Sequence, residues 1–164
     1  MKKALPIGVV NYREIQYENY YTVDKTMMIQ EFLERKSKVT LITRPRRFGK
    51  TSNMSMLAEF FDITKSSKQL FEKTNISGSE YISQMNQYPV IFLSFANAKG
   101  NLTAIVKAIK EEVKDAYKKY QFVLEDINFF DQPYYQVILN GLGNPEDGDI
   151  ANIDNAVSFL MKKL

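Results

Sequence analysis

Two short apolar runs, each giving way to a helix-period pattern, constrain this chain more than any other feature. Val39-Thr40-Leu41-Ile42 is β-branched and continuous, the pattern of a buried strand. Over residues 50–61 the period changes, with Met54, Leu57, Phe60 and Phe61 recurring at helical spacing. A second run, Val90-Ile91-Phe92-Leu93-Ser94-Phe95, starts after Pro89, where a missing N–H does least harm to a strand. The clearest amphipathic stripe follows, in which Leu102, Ile105, Val106, Ile109, Val113, Ala116, Tyr117 and Tyr120 oppose Lys107, Lys110, Glu111, Lys114 and Lys118. Strands alternating with helices predict an α/β layer, a parallel sheet flanked by helices. At 164 residues, 45% hydrophobic, with 11 Phe and 10 Tyr, the chain has material for one domain with a sizeable core.

The remaining elements are expected around this frame. Residues 6–21 are aromatic without clear periodicity and read as an irregular arm, ending in an extended piece through Tyr21-Thr22-Val23. Asp24 is a good N-cap for a helix containing Met27, Met28, Ile29, Phe32 and Leu33, which closes on the cationic Arg35-Lys36-Ser37-Lys38. Residues 65–77 read as turns with a helical turn at Leu70-Phe71, and residues 79–87 as a short helix. Helical residues are expected over 131–139, with Pro133 in a first turn, a loop over 141–148, and a last amphipathic helix over 152–164.

The zeros in the composition exclude whole reaction classes. Without cysteine there is no disulfide framework, thiolate metal site or thiol nucleophile, and without histidine there is no imidazole base or ligand. What remains is Lys, Arg, carboxylates, hydroxyls and backbone amides, a set suited to phosphate chemistry. Net charge is only +3, but Arg35, Lys36, Lys38, Arg44, Arg46, Arg47 and Lys50 crowd one acid-free stretch. Such focus suggests a compact anionic ligand. Nucleic acid, the competing reading for residues 35–50, usually meets a tract of cations interleaved with exposed aromatics. The start of the chain makes a poor signal peptide, and no run approaches the ~18 apolar residues of a membrane span. The expected location is cytoplasmic.

Gly49-Lys50-Thr51 lies between the first apolar run and a helix, where the end of a phosphate-binding P-loop is meaningful. Loop amides and the helix N-terminus would converge on an oxyanion. Gly49 would permit close backbone approach, Lys50 would reach the terminal phosphates as the catalytic cation, and the Thr51 hydroxyl would ligate Mg²⁺. Residues 44–52 (Arg44, Pro45, Arg46, Arg47, Phe48, Gly49, Lys50, Thr51 and Ser52) form the candidate nucleotide site. The pattern is irregular, since Arg44 stands where a glycine is usual and Pro45 has no amide to offer. A chance tripeptide beside an exposed basic turn is the competing explanation. The agreement of run, loop, Gly-Lys-Thr, helix and charge favours the site.

Four blocks carry a resemblance: Tyr20-Tyr21-Thr22-Val23-Asp24-Lys25-Thr26, Leu41-Ile42-Thr43-Arg44-Pro45-Arg46-Arg47-Phe48-Gly49-Lys50-Thr51, Met56-Leu57-Ala58-Glu59-Phe60-Phe61, and Tyr88-Pro89-Val90-Ile91-Phe92-Leu93-Ser94-Phe95. Together they resemble the AAA-ATPase-like family of bacterial and archaeal proteins, whose members look like P-loop ATPase domains and often carry a PD-(D/E)XK nuclease-like domain. The resemblance implies ATP and Mg²⁺ as ligands, a P-loop NTPase-type parallel sheet, and Arg44 as a family trait. It also implies a place near the loop for Asp24 and Lys25, against the plainer reading of Asp24 as a helix cap. A magnesium-site acid is expected at the end of a second strand. None ends the run at Ser94-Phe95-Ala96-Asn97, and Glu146, Asp147 and Asp149 fall in an expected turn. The expectation is therefore an incomplete P-loop domain spanning 1–164, with its acid downstream of Leu164 and a nuclease-like domain as a possible neighbour. A small-molecule kinase ranks last, because no substrate base or lid is recognisable.

Overall fold

Asn11 begins the helical part of the arm. Its side-chain oxygen accepts the amides of Arg13 (2.9 Å) and Glu14 (3.3 Å), which starts helix α1, Tyr12–Tyr17. Asn19 then turns left-handed at φ 53°, and the amides of Asn19 and Tyr20 return to the carbonyls of Gln16 and Ile15. This pair of bonds is a complete Schellman stop. A short helix thus occupies the middle of the segment expected to be irregular. Its signal was the spacing of Asn11 and Glu14, a capping box with asparagine at its head. The computed structural model describes residues 3–45, 47–144 and 153–164.

The chain packs as two compact units, Met1–Val90 and Ile91–Leu164. In the first, α2 (Met27–Arg35) ends where Lys36 takes φ 48°. Helix α3 (Lys50–Phe61) and the single turn α4 (Lys68–Phe71) follow, then 3-10 turns at Asn75–Gly78 and Glu80–Gln84. Tyr12, Ile29, Met56, Phe60, Phe61, Leu70, Phe71 and Ile76 form the buried cluster of this unit. Its centre is aromatic: Phe71 stacks on Tyr12 at 5.2 Å and meets Phe60 edge-on at 5.3 Å.

The second unit is built on α5 (Leu102–Lys119), whose first turn is capped by Asn101 accepting the Ala104 amide at 2.9 Å. After α6 (Gln121–Leu124) come α7 (Gln132–Gly143) and α8 (Ala156–Lys163). The α5 stripe is buried through Val113, Ala116, Tyr117 and Tyr120 against Ile138 and Leu142 of α7 and Phe159 and Leu160 of α8. Tyr117 gives its buried hydroxyl to the Ala156 carbonyl at 2.8 Å. Helix α7 overruns the loop expected from Gly141 because Ile138 and Leu142, four residues apart, continue one apolar face across it. Glu146, Asp147 and Asp149 lie outside the described residues. No helix among the described residues is long and apolar enough to cross a membrane.

The parallel sheet expected of a P-loop NTPase-type α/β fold is not formed. Among the described residues there is no strand, and the one bridge is an isolated parallel pair, Asp62 with Tyr88. The run from Val39 is extended, yet none of its backbone groups bonds another among the described residues, and Val39 and Leu41 are 85% and 83% exposed. The run from Val90 is consumed by other work. Val90 packs on the first unit's cluster, Ile91 and Leu93 pack on the second, and Ser94 gives its amide to the Glu112 carboxylate at 2.9 Å before a 3-10 turn at Phe95–Asn97. Apolar β-branched residues favour extended backbone, but a ladder also needs a partner at the right register.

What orders the first unit is a buried carboxylate. Glu59 of α3 is 3% exposed and accepts Arg13 Nη2 at 2.8 Å and Nε at 3.1 Å, Lys65 Nζ, and Ser67 Oγ at 3.3 Å. Burial pushes its carboxyl up, but the hydrogen bonds and charges of Lys65 and Arg13 outweigh that and hold it below the usual carboxylate range. Asn86 (φ 55°) completes the arrangement by donating to the carbonyl of Glu59, in the last turn of α3, at 3.1 Å and to that of Asp62, the residue that ends the helix, at 2.8 Å.

Two outcomes are expected. Arg13→Met leaves Glu59 with one cation, and denaturant titration should show a loss of about 2 kcal/mol. The stabilisation from Glu59 is full above the ordinary glutamate value of ~4.3 and is lost as pH falls through the depressed folded value. Melting of Glu59→Gln should therefore depend less on pH than wild type in acid.

Candidate functional site

The turn from the extended run into α3 is tight, and left-handed at two places. Arg47 has φ 68° and Gly49 φ 72°. Glycine adopts this region freely, whereas an arginine there costs about 1–2 kcal/mol. Left-handed residues within a turn aim successive N–H groups to one side, the geometry of an anion-binding concavity. Helix α3 starts directly after Gly49, with no side chain capping its amino end. The first amide to close an intrahelical bond is that of Asn53, on the Gly49 carbonyl at 2.9 Å. The amides ahead of it are the orphan donors of a helix N-terminus.

Lys50 folds back into its own loop. Its ammonium donates to the carbonyls of Arg44 and, at 2.9 Å, Pro45. An ammonium has three N–H donors, so the loop is clasped by two and one remains. This geometry is compatible with Pro45, which contributes a carbonyl to the lysine and needs no amide there; it does not call for an arginine side chain at Arg44. Arg46 lies outside the described residues.

The loop opens on a cleft of about 1020 Å³, at the top of the ~300–1,000 Å³ range of small-molecule sites. Arg47, Phe48, Gly49 and Ser52 line it, and so do Tyr12, Asp24 and Lys25 from the arm. Lys25 approaches the loop closely: a Cβ placed on Gly49 would lie 3.7 Å from its Nζ. Among the described residues neither Lys25 nor Arg47 forms an ion pair, while Arg13, Arg35 and Lys65 all do. Arg44 instead lines a separate groove of about 370 Å³ with Met28, Phe32 and Leu57. Lys50 and Thr51 sit at the helix start without lining the cleft, and Thr51 is exposed.

Asp24 is not the cap of α2 that was expected: the N-cap is Thr26, with no side-chain cap bond, and Asp24 braces the chain just ahead of it. One carboxylate oxygen accepts the Thr26 amide at 2.8 Å and the other the Asn75 amide at 2.7 Å. Burial raises its carboxyl, but these bonds outweigh that and hold it below the usual range. The next residue, Lys25, is thereby anchored beside the loop. Tyr12 was not singled out by sequence, because a tyrosine in an aromatic-rich arm has no local signature. It is 8% exposed, and its hydroxyl is buried with no hydrogen-bond partner among the described residues.

A model of the AAA-ATPase-like family, described as "Predicted AAA-ATPase", matches residues 6–151. The chain belongs to that family. Within this AAA-ATPase-like chain, a stretch of 61 residues is 41% identical to an "Uncharacterized protein in vnfD 5'region" from Azotobacter chroococcum mcd 1. The stretch is 37% of this chain and 12% of that protein. No solved structure matches.

If Asp24 anchors the entry to α2 to the turn at Asn75, Asp24→Ala should cost about 1–2 kcal/mol, the worth of charge-assisted bonds to two backbone amides. Hydrogen exchange at the Thr26 and Asn75 amides should speed up in the same variant, while the α5 amides of the second unit keep wild-type rates.

Proposed function

We propose that this chain is the ATP-binding part of an ATPase, with residues 44–52 as its phosphate loop. One observation carries the reading above the others: a loop with two left-handed residues, clasped by Lys50, delivers the uncapped amino end of α3 to a cleft lined by Lys25 and Arg47, cations that form no ion pair among the described residues. An anion there would accept orphan amides, complement the helix dipole and meet positive charge that has no counter-ion among the described residues. ATP is the nucleotide because the family's description names an ATPase.

In this reading Lys50, which rests outside the cleft lining, keeps the loop closed, and its third donor turns to the phosphates once a nucleotide is bound. Arg47, at the cleft lip, adds a guanidinium suited to bidentate contact. Magnesium typically binds through one or two protein oxygens and shares its shell with water and substrate phosphates. The exposed Thr51 hydroxyl, at the start of α3 but outside the cleft lining, would serve as such an oxygen for phosphates held at the helix end. Bound Mg²⁺ would neutralise charge on the phosphate oxygens. Asp24 spends both oxygens on backbone amides, so it acts as a positioning group and not as a base for water.

Titrating a fluorescent ATP analogue with Mg²⁺ against wild type and Lys50→Ala tests the proposal. The variant should bind at least ~10-fold more weakly, since a charge-assisted contact is lost together with the clasp that shapes the loop. Equal binding in both would overturn it. So would single-stranded oligonucleotide binding that outcompetes ATP and collapses steeply with salt, the mark of a nucleic-acid module.

A further inference from the structure

A triphosphate held at the amino end of α3 fills only part of a cleft of about 1020 Å³. Much of the remaining wall comes from the arm, and its side chains are of another kind. Tyr17, the last residue of α1, and Tyr21, just past the Asn19 turn, both line the cleft and are 58% and 56% exposed. A single open tyrosine on a surface is ordinary, but two open rings in one concavity make a platform. Both are held. The Arg13 guanidinium lies 5.9 Å from the centre of the Tyr17 ring, and Arg13 is itself fixed by the buried Glu59. The Tyr21 amide donates to the Ala4 carbonyl at 2.7 Å. Three carboxamides, those of Gln16, Asn19 and Gln69, line the same cleft. Rings and carboxamides together suit a heteroaromatic base, whose faces stack on aromatic side chains and whose edge pairs with amide donors and acceptors. A phosphate chain has no face to stack.

We propose that Tyr17 and Tyr21 seat the base of the nucleotide, so that the cleft takes a nucleoside triphosphate in preference to a bare polyphosphate. The inference rests on the nucleotide-binding reading above and deepens it by naming the residues that recognise the part of the ligand the loop does not touch. The reach is suitable. Lys25 brings its ammonium to the loop, 3.7 Å from where a Gly49 Cβ would stand. Residues 21–25 contain no helix, and a stretch of that length spans at most ~14 Å. Tyr21 is therefore separated from the loop by a distance on the scale of an extended nucleoside triphosphate. The left-handed Asn19 closes α1 and lets the chain pass from one ring to the other.

The experiment measures calorimetric binding of ATP and of tripolyphosphate, both with Mg²⁺, to wild type, Tyr17→Leu, Tyr21→Ala, Tyr21→Phe and Lys50→Ala. Wild type should bind ATP at least ~10-fold more tightly than tripolyphosphate, the worth of one stacked base. Tyr17→Leu and Tyr21→Ala should each weaken ATP about tenfold and leave tripolyphosphate within about twofold. Tyr21→Phe, which keeps the ring, should restore most of the preference lost in Tyr21→Ala. Tripolyphosphate is the internal reference: a tyrosine that only supports the arm would weaken both ligands together when removed, and that result overturns the base seat. It is also overturned if wild type binds both ligands equally while Lys50→Ala weakens both, in which case the phosphate loop stands alone. If Lys50→Ala binds both like wild type, the nucleotide reading falls and the base seat with it.

Discussion

The first unit depends on one buried acid. Glu59 sits near the carboxyl end of α3 and draws Arg13 of α1 and Lys65 of the following turn into contact, so three separate stretches are tied at one point. The desolvation this imposes is heavy, and it is tolerable only because two cations and a hydroxyl meet the carboxylate together. Around the same point Asn86 takes up the carbonyls that end the helix. One end of α3 is thus held firmly, while its other end, uncapped, faces the cleft. A helix fixed at its carboxyl end and open at its amino end can offer orphan amides to a ligand without fraying.

The aromatic cluster has a second consequence for the same helix. Phe60 and Phe61 of α3 bury against Phe71 and Tyr88, and Phe71 in turn stacks on Tyr12. Because Tyr12 N–H also donates to Ser55 of α3 at 3.0 Å, α1 is tied to the helix that follows the Gly49 turn. The cleft therefore has sides from distant sequence, brought together by the core that the helices share.

Much of the helical content was legible along the chain. Asn101 ahead of the α5 stripe, Gly49 ahead of α3 and the cationic close of α2 are local signals whose outcome is settled within one or two turns. The loop was legible for the same reason: Gly49 and Lys50 are neighbours of the helix they start. The clasp on the Arg44 and Pro45 carbonyls was not, although it resolves the oddity of a proline in such a loop. The sheet failed because an extended run states a preference and no partner. Residues around Val39 and Val90 are alike in composition, yet one is left exposed and the other divides its side chains between two cores.

By itself the sequence determined where the main helices α2, α3 and α5 lie, which chemistry the absence of His and Cys removes, and that positive charge gathers at Gly-Lys-Thr. These are properties of neighbouring residues or of composition, and they survive any arrangement in space. Only the tertiary structure decided that Glu59 is clasped, that Asp24 reaches the Asn75 amide fifty-one residues away, and that Lys25 comes to rest beside Gly49. Such contacts are made between segments whose separation the chain does not encode locally. Their geometry follows from how the aromatic core packs, and packing is a property of the whole unit.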